Sequence, residues 1–305
     1  MKKWLWLLLL LPALAAGFVW VLPGKALQAE YARQRWLAGA TVKTQEVSGE
    51  TWHYLEAGQG PLIVLVHGYT GSKENWLPAM TSLTSSHRVI AVDLPGWGES
   101  APKPGQDYSP LAQAERLSRF ITAQNEPVAL LAGHSMGGMI SGLMLSSGGD
   151  LPVAHVVFMS SAGVRFKENA FARRVLKGDN PFAVYQADAF VGFLQEFVFA
   201  DAPYLPSPMA AYMVQQRERK KTFERQVFTQ MRLGPQAFLL QERLPLIRQP
   251  AGLLWCDADK IIDPSAAAVF ARGLRQSDTR ILKGCGHMPM MEQPRQTAEF
   301  LLSQL

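Results

Sequence analysis

Three features of the sequence predict an α/β fold with a mainly parallel sheet. Apolar runs of strand length, at Pro61–Gly68, His87–Leu94, Val128–Ala132, Ala154–Met159, Gly252–Cys256 and Arg280–Leu282, alternate with segments of helical spacing. The runs are apolar at nearly every position, as strands covered on both faces are. One of them leads through Gly133-His134-Ser135-Met136-Gly137 into the helical pattern Met139–Leu145. That strand, sharp turn and helix is the context a Gly-x-Ser-x-Gly match requires.

Taken in order, Met1-Lys2-Lys3 precedes an uncharged stretch from Trp4 to Leu22. As a helix it would span roughly 28 Å, about the hydrocarbon thickness of a bilayer. Residues 1–23 therefore read as a transmembrane anchor with tryptophans near both ends. The competing reading is a cleaved signal peptide, with Ala13-Leu14-Ala15 as the small-residue site. Lys2 and Lys3 put the amino terminus in the cytoplasm. The expectation is thus a single-pass inner-membrane protein with its body on the periplasmic side. Residues 24–40 mix Leu27, Tyr31 and Trp36 with Glu30, Arg33 and Arg35. They predict a juxtamembrane helix, either lying at the lipid surface or packed on the body.

Thr41–Ser48 and Glu50–Glu56 read as short antiparallel strands of half-polar pattern. Helices are expected at Lys73–Ser85 and Ser109–Gln124. The alternation breaks between Arg165 and Arg248, a helix-like insertion that holds 10 of the 15 phenylalanines. It reads as a lid over the carboxyl edge of the sheet, where open α/β folds bind ligands. In part its aromatics form a core of their own. The predicted division is therefore 1–23, 24–40, a core of 41–164 with 249–305, and a lid of 165–248.

The 305 residues suffice for a substantial core, and 48% hydrophobic with 18% charged content is that of a globular chain with one apolar appendage. The net charge of +5 lies in the insertion, which carries 13 Lys+Arg against 8 Asp+Glu; the remainder balances at 17 against 17. No basic stripe interleaved with aromatics is present, so nucleic acid is a poor partner. Arg217, Arg219, Lys220 and Lys221 form a basic cluster, read either as a meeting point for anionic headgroups or as a solvated helix face. Cys256 and Cys285 lack metal-ligand spacing and are expected as two buried thiols, with a disulfide as the less favoured alternative. The reading calls for no metal and no cofactor.

A serine hydroxyl needs a base to take its proton and a carboxylate to orient that base. Ser135 sits on the sharp turn, with the Met136 N–H beside it. His287 stands on the loop after the last strand; the other five histidines lie in strands or turn motifs. The acid comes from Asp257, Asp259 or Asp263, with Asp259 preferred by its place past the strand end. The Met136 and Tyr69 N–H groups would form an oxyanion hole.

His67-Gly68-Tyr69-Thr70-Gly71, Asp93-Leu94-Pro95-Gly96-Trp97-Gly98, Gly133-His134-Ser135-Met136-Gly137, Asp259 and Gly286-His287 together resemble the α/β-hydrolase superfamily, from about Thr41 to the end. The resemblance implies an α/β-hydrolase fold, a structural role for Asp93, and a serine rather than the aspartate of dehalogenases and epoxide hydrolases. Anchor, aromatic insertion and triad look most similar to bacterial membrane-tethered lipases and phospholipases A. A lipid or acyl-ester substrate is then expected. A C–C bond hydrolase, an acyltransferase or a non-catalytic lipid binder are the alternatives. Pairing of anchor helices into a homodimer is left open.

Overall fold

A computed structural model describes residues 17–305. Helix α1 (Pro23–Leu37) leads into an eight-stranded sheet of order β1-β2-β4-β3-β5-β6-β7-β8. Strands β1 (Thr41–Val47) and β2 (Glu50–Ala57) form the antiparallel hairpin that their half-polar pattern predicts. β2 also runs antiparallel to β4 (Arg88–Val92). From β4 onward the pairing is parallel through β3 (Leu62–Val66), β5 (Val128–His134), β6 (Val153–Met159), β7 (Ala251–Cys256) and β8 (Ser277–Leu282).

The central strands are apolar throughout because each face has its own core. In β3, Leu62, Val64 and Val66 enter one cluster while Ile63 and Leu65 enter the other. In β7, Leu253 and Trp255 point one way, Leu254 and Cys256 the other. Edge strand β8 begins three residues earlier than its apolar pattern suggests, since Asp278 and Thr279 are exposed.

The helix expected at Lys73–Ser85 is divided. A 3₁₀ turn covers Lys73–Trp76, and α2 (Leu77–Leu83) restarts at Pro78, which has no N–H to give. Helix α3 (Pro110–Thr122) and helix α4 (Met136–Ser146) cover the first core face. Between β6 and β7 lie α5 (Ala170–Leu176), α6 (Ala187–Phe193), α7 (Ser207–Arg219), α8 (Lys221–Phe228) and α9 (Leu239–Arg243), with π-type turns at Leu194–Val198 and Thr229–Leu233. After β7 come α10 (Ser265–Gly273), α11 (Pro289–Glu292) and α12 (Pro294–Leu302).

The insertion has no separate core. Phe182 and Phe228 pack on Tyr69, Phe223 on Trp97, and Phe171 on Phe182 and Phe197, all in one cluster with the sheet. Its basic cluster is partly spent on internal ties. Arg217 pairs with buried Glu224 at 2.8 Å and donates to the Phe182 carbonyl, and Lys220 donates to that of Gly98. Only Arg219 and Lys221 of the four are exposed.

Three expectations change. The anchor expected over residues 1–23 falls mainly on residues 1–16, outside the described residues. Among the described residues no helix is long and apolar enough to cross a membrane. The single-pass inner-membrane placement, with the body on the periplasmic side, is corrected accordingly. Helix α1 packs on the body, with Gly24 against the Tyr212 ring and Arg35 ion-paired to Glu74. Finally, Cys256 and Cys285 are not two thiols but a disulfide, their Cα atoms 5.2 Å apart. The end of β7 and the loop after β8 meet within bridging distance.

Candidate active site

The turn between β5 and α4 holds Ser135 at φ 52° and ψ −116°, a region that only over-determined side chains occupy. The glycines on either side are there for space. A Cβ at Gly133 would stand 2.6 Å from the Gly137 carbonyl oxygen, and one at Gly137 would stand 2.5 Å from those of Val66 and His67. Strand and helix therefore cross closely enough to force the serine outward. The amino terminus of α4 begins at Met136, so its backbone dipoles favour negative charge beside Ser135.

The His67–Tyr69 loop leaves β3 next to this turn. A Cβ on Gly68 would lie 3.0 Å from the Ser135 Cβ, which measures how near the Tyr69 backbone is to the serine. His67 fixes the loop. Its Nε2 accepts from the Leu94 N–H at 3.1 Å, so Nδ1 carries the proton and donates to the Gly68 carbonyl at 2.7 Å. Burial lowers the pKa of His67 and keeps it in this neutral form. The Tyr69 hydroxyl donates to the Glu224 carbonyl of α8 at 2.7 Å, tying this loop to the insertion.

His287 Nδ1 faces both oxygens of Asp259, at 3.0 and 2.9 Å. A carboxylate only accepts, so Nδ1 carries the proton and the Nε2 lone pair is free. Asp259 Oδ1 also accepts from the Ile261 and Ile262 N–H groups at 2.9 Å each, which holds the carboxylate in one orientation. Asp257 and Asp263 are spent elsewhere, accepting from the Gly284 and Ser265 N–H groups. Of the three candidate aspartates, Asp259 alone meets the imidazole. Ser135, Asp259 and His287 are each 4% exposed. No hydrogen bond joins Ser135 Oγ to His287 among the described residues. The two are linked through the neighbour of the serine: His134 Nε2 donates to the His287 carbonyl at 2.7 Å, and the two rings lie 4.7 Å apart. Burial, then the proximity of His287, holds His134 well below its ordinary pKa, so this donor stays neutral.

Sequence reasoning missed two supports of the His287 loop. Glu292 accepts from the Gly286 N–H at 2.9 Å, from Met288 at 3.1 Å and from Ala200 of the insertion at 2.8 Å. The His287 N–H itself donates to the Val198 carbonyl at 2.7 Å. An acidic residue just after Pro289 is the only trace of this in the sequence; the partners are 92 positions apart for Ala200. Asp93, by contrast, is buried and bound by the Lys73 ammonium at 2.7 Å and by the Lys73 and Glu99 N–H groups, an arrangement that braces the turn after β4.

A cavity of about 280 Å³ lies under the insertion, and none of Ser135, Asp259 and His287 lines it. Its lining reaches the serine turn only through Ala162, whose N–H donates to the Ser135 carbonyl at 3.0 Å, and includes Phe171, Val175, Met231 and Phe238. Among the described residues no cluster of side chains is arranged to hold a metal ion.

Residues 63–300 match the model of the alpha/beta hydrolase family. Monoacylglycerol lipase ABHD6 of Mus musculus is 24% identical over 254 residues, covering 80% of this chain and 75% of the relative. Lipase 1 of Psychrobacter immobilis is 29% identical over 262 residues, covering 83% and 80%. A crystal structure of a bacterial membrane phospholipase A superposes with a TM-score of 0.87 at 33% identity, covering 100% of this chain and 98% of that one. On fold, elbow and family match together, the chain belongs to the α/β-hydrolase family.

Proposed function

We propose that this chain is a carboxylic ester hydrolase that cleaves acyl esters of lipids through Ser135, His287 and Asp259. The carrying observation is the Asp259–His287 pair, poised with a free Nε2 next to the turn that bears a strained serine. The lipase and phospholipase relatives support the substrate class, and the mainly apolar cavity that Ala162 connects to the serine turn is suited to an acyl chain.

The chemistry follows from the geometry. His287 Nε2 takes the Ser135 proton as Oγ attacks the ester carbonyl carbon. The oxyanion accepts from the Met136 and Tyr69 N–H groups, each worth about 3 kcal/mol of barrier. Collapse expels the alcohol, which leaves with the proton from Nε2. Water then attacks the acyl-enzyme with the same base, and the fatty acid departs. Substrate binding draws Ser135 Oγ and His287 into hydrogen-bond contact, as commonly happens only in the Michaelis complex. Residues 41–164 and 249–305 form the catalytic core, and 165–248 serve as a lid acting where lipid meets water.

Ser135→Ala tests this. We expect hydrolysis of p-nitrophenyl octanoate to fall at least about 10⁴-fold, because triad members act as a unit. Labelling by a fluorophosphonate should vanish as well. Wild-type rates in the variant would overturn the reading.

A further inference from the structure

Among the described residues, Arg232 is a half-buried cation that no carboxylate pairs with. Arg232, in the π-type turn Thr229–Leu233, keeps Nε and Nη2 out of solvent with no hydrogen-bond partner among the described residues. The other buried cations of the site region are matched, Lys73 by Asp93 and Glu99, and Arg217 by Glu224. An uncompensated guanidinium works against folding, so a residue kept this way has some other use. Arg232 lies along the wall of the cavity that Ala162 connects to the serine turn, its guanidinium 6.0 Å from the centre of the Phe171 ring. Burial pushes its pKa down to about 10, with Tyr69 and Asp259 opposing that fall, which leaves it charged at neutral pH. Around it the cavity is apolar except at exposed Arg165, stacked on Phe238, and exposed Glu168.

We propose that Arg232 is a specificity-determining residue that receives an oxyanion carried by the ester substrate, a phosphodiester or a carboxylate. The pocket then favours anionic acyl esters over neutral glycerides. This rests on the reading of Ser135 as the nucleophile toward lipid esters and adds the charge of the substrate to it. The planar fork of a guanidinium matches two oxygens of a phosphate or carboxylate. An anion in the cavity gives this unpaired, half-buried charge the counter-ion that the fold does not provide. Glu168 at the mouth opposes anions, but as an exposed group it is screened by water.

The test compares kcat/KM of the wild type, Arg232→Met and Arg232→Lys on three esters of one acyl chain: a monoacylglycerol, a lysophosphatidylglycerol and an acyl glycolate. Arg232→Met should lower kcat/KM on one or both anionic esters about ten- to a hundredfold more than on the glyceride, the scale of one hydrogen bond to a charged group. Arg232→Lys should recover part of that loss, and the methionine variant should melt no lower than the wild type. The anionic ester that suffers identifies phosphate or carboxylate as the group received. Equal losses on all three substrates, or no loss on any, would overturn the proposal while leaving the hydrolase reading intact. If the wild type hydrolyses none of the three, the hydrolase reading falls and this proposal with it.

Discussion

The Cys256–Cys285 bridge joins the end of the strand that precedes Asp259 to the loop that carries His287, across 29 residues. Replacing both cysteines by alanine removes the crosslink without leaving a lone thiol. In the chain-entropy description a closed loop of that length restricts the unfolded ensemble by about 3.6 kcal/mol at room temperature. For a chain of this size such a loss lowers the melting temperature by about 6 °C. Calorimetry of Cys256→Ala/Cys285→Ala against the wild type, each with and without dithiothreitol, measures this. The reductant should bring the wild type close to the double variant and leave the variant where it was. Hydrolysis should also fail before the bulk of the fold melts, because the Ala258 N–H donates to the Cys285 carbonyl and the acid and base loops move together. A double variant that melts within about 2 °C of the oxidised wild type would refute the reasoning.

Three further outcomes are expected. Glu292→Gln turns one of the two acceptor oxygens into an NH₂ that faces the N–H groups of either Ala200 and Gly286 or Gly286 and Met288; kcat should fall about 10²-fold with KM unchanged, since a small displacement of His287 has that effect, whereas kcat within twofold of wild type would deny Glu292 a positioning role. Lys73→Met leaves the buried Asp93 carboxylate without its ammonium and should destabilise the fold by about 3–5 kcal/mol in urea titrations. Burial holds the pKa values of His67 and His134 below that of an unfolded histidine, so the unfolded chain binds more protons below about pH 6.5. Stability should be full above that pH and fall as pH drops, by up to about 1.4 kcal/mol per unit for each histidine; urea midpoints from pH 7.5 to 5 check the slope, and His134→Gln should flatten it.

The sharp turn at Ser135 was legible because its constraints are local: Gly133 and Gly137 are spaced by the crossing of one strand and one helix, and the flanking runs announce both. That Asp259 and His287 stand on loops after late strands was legible from the alternation of strands. Asp259 was preferred over Asp257 and Asp263 by its place past the strand end, but all three follow the same strand and only the fold tells which one meets His287. The disulfide was misjudged for a similar reason, as its geometry depends on how far β8 runs past β7 before turning. Arg217 looked like a surface charge because Glu224 lies one helix away, on α8. The amino-terminal hydropathy, read as a membrane span, has no counterpart among the described residues.

Tyr69 belongs to two parts of the molecule at once. Its backbone follows the glycine that touches Ser135, while its hydroxyl holds α8 and its ring lies against Phe182 and Phe228. Burial keeps the phenol protonated, so this hold persists at any ordinary pH. A displacement of α8 wide enough to admit a bulky guest must therefore break that hold or drag the tyrosine along. On the function proposed above, access and reactivity share a single hinge point, and loosening one by mutation will loosen the other.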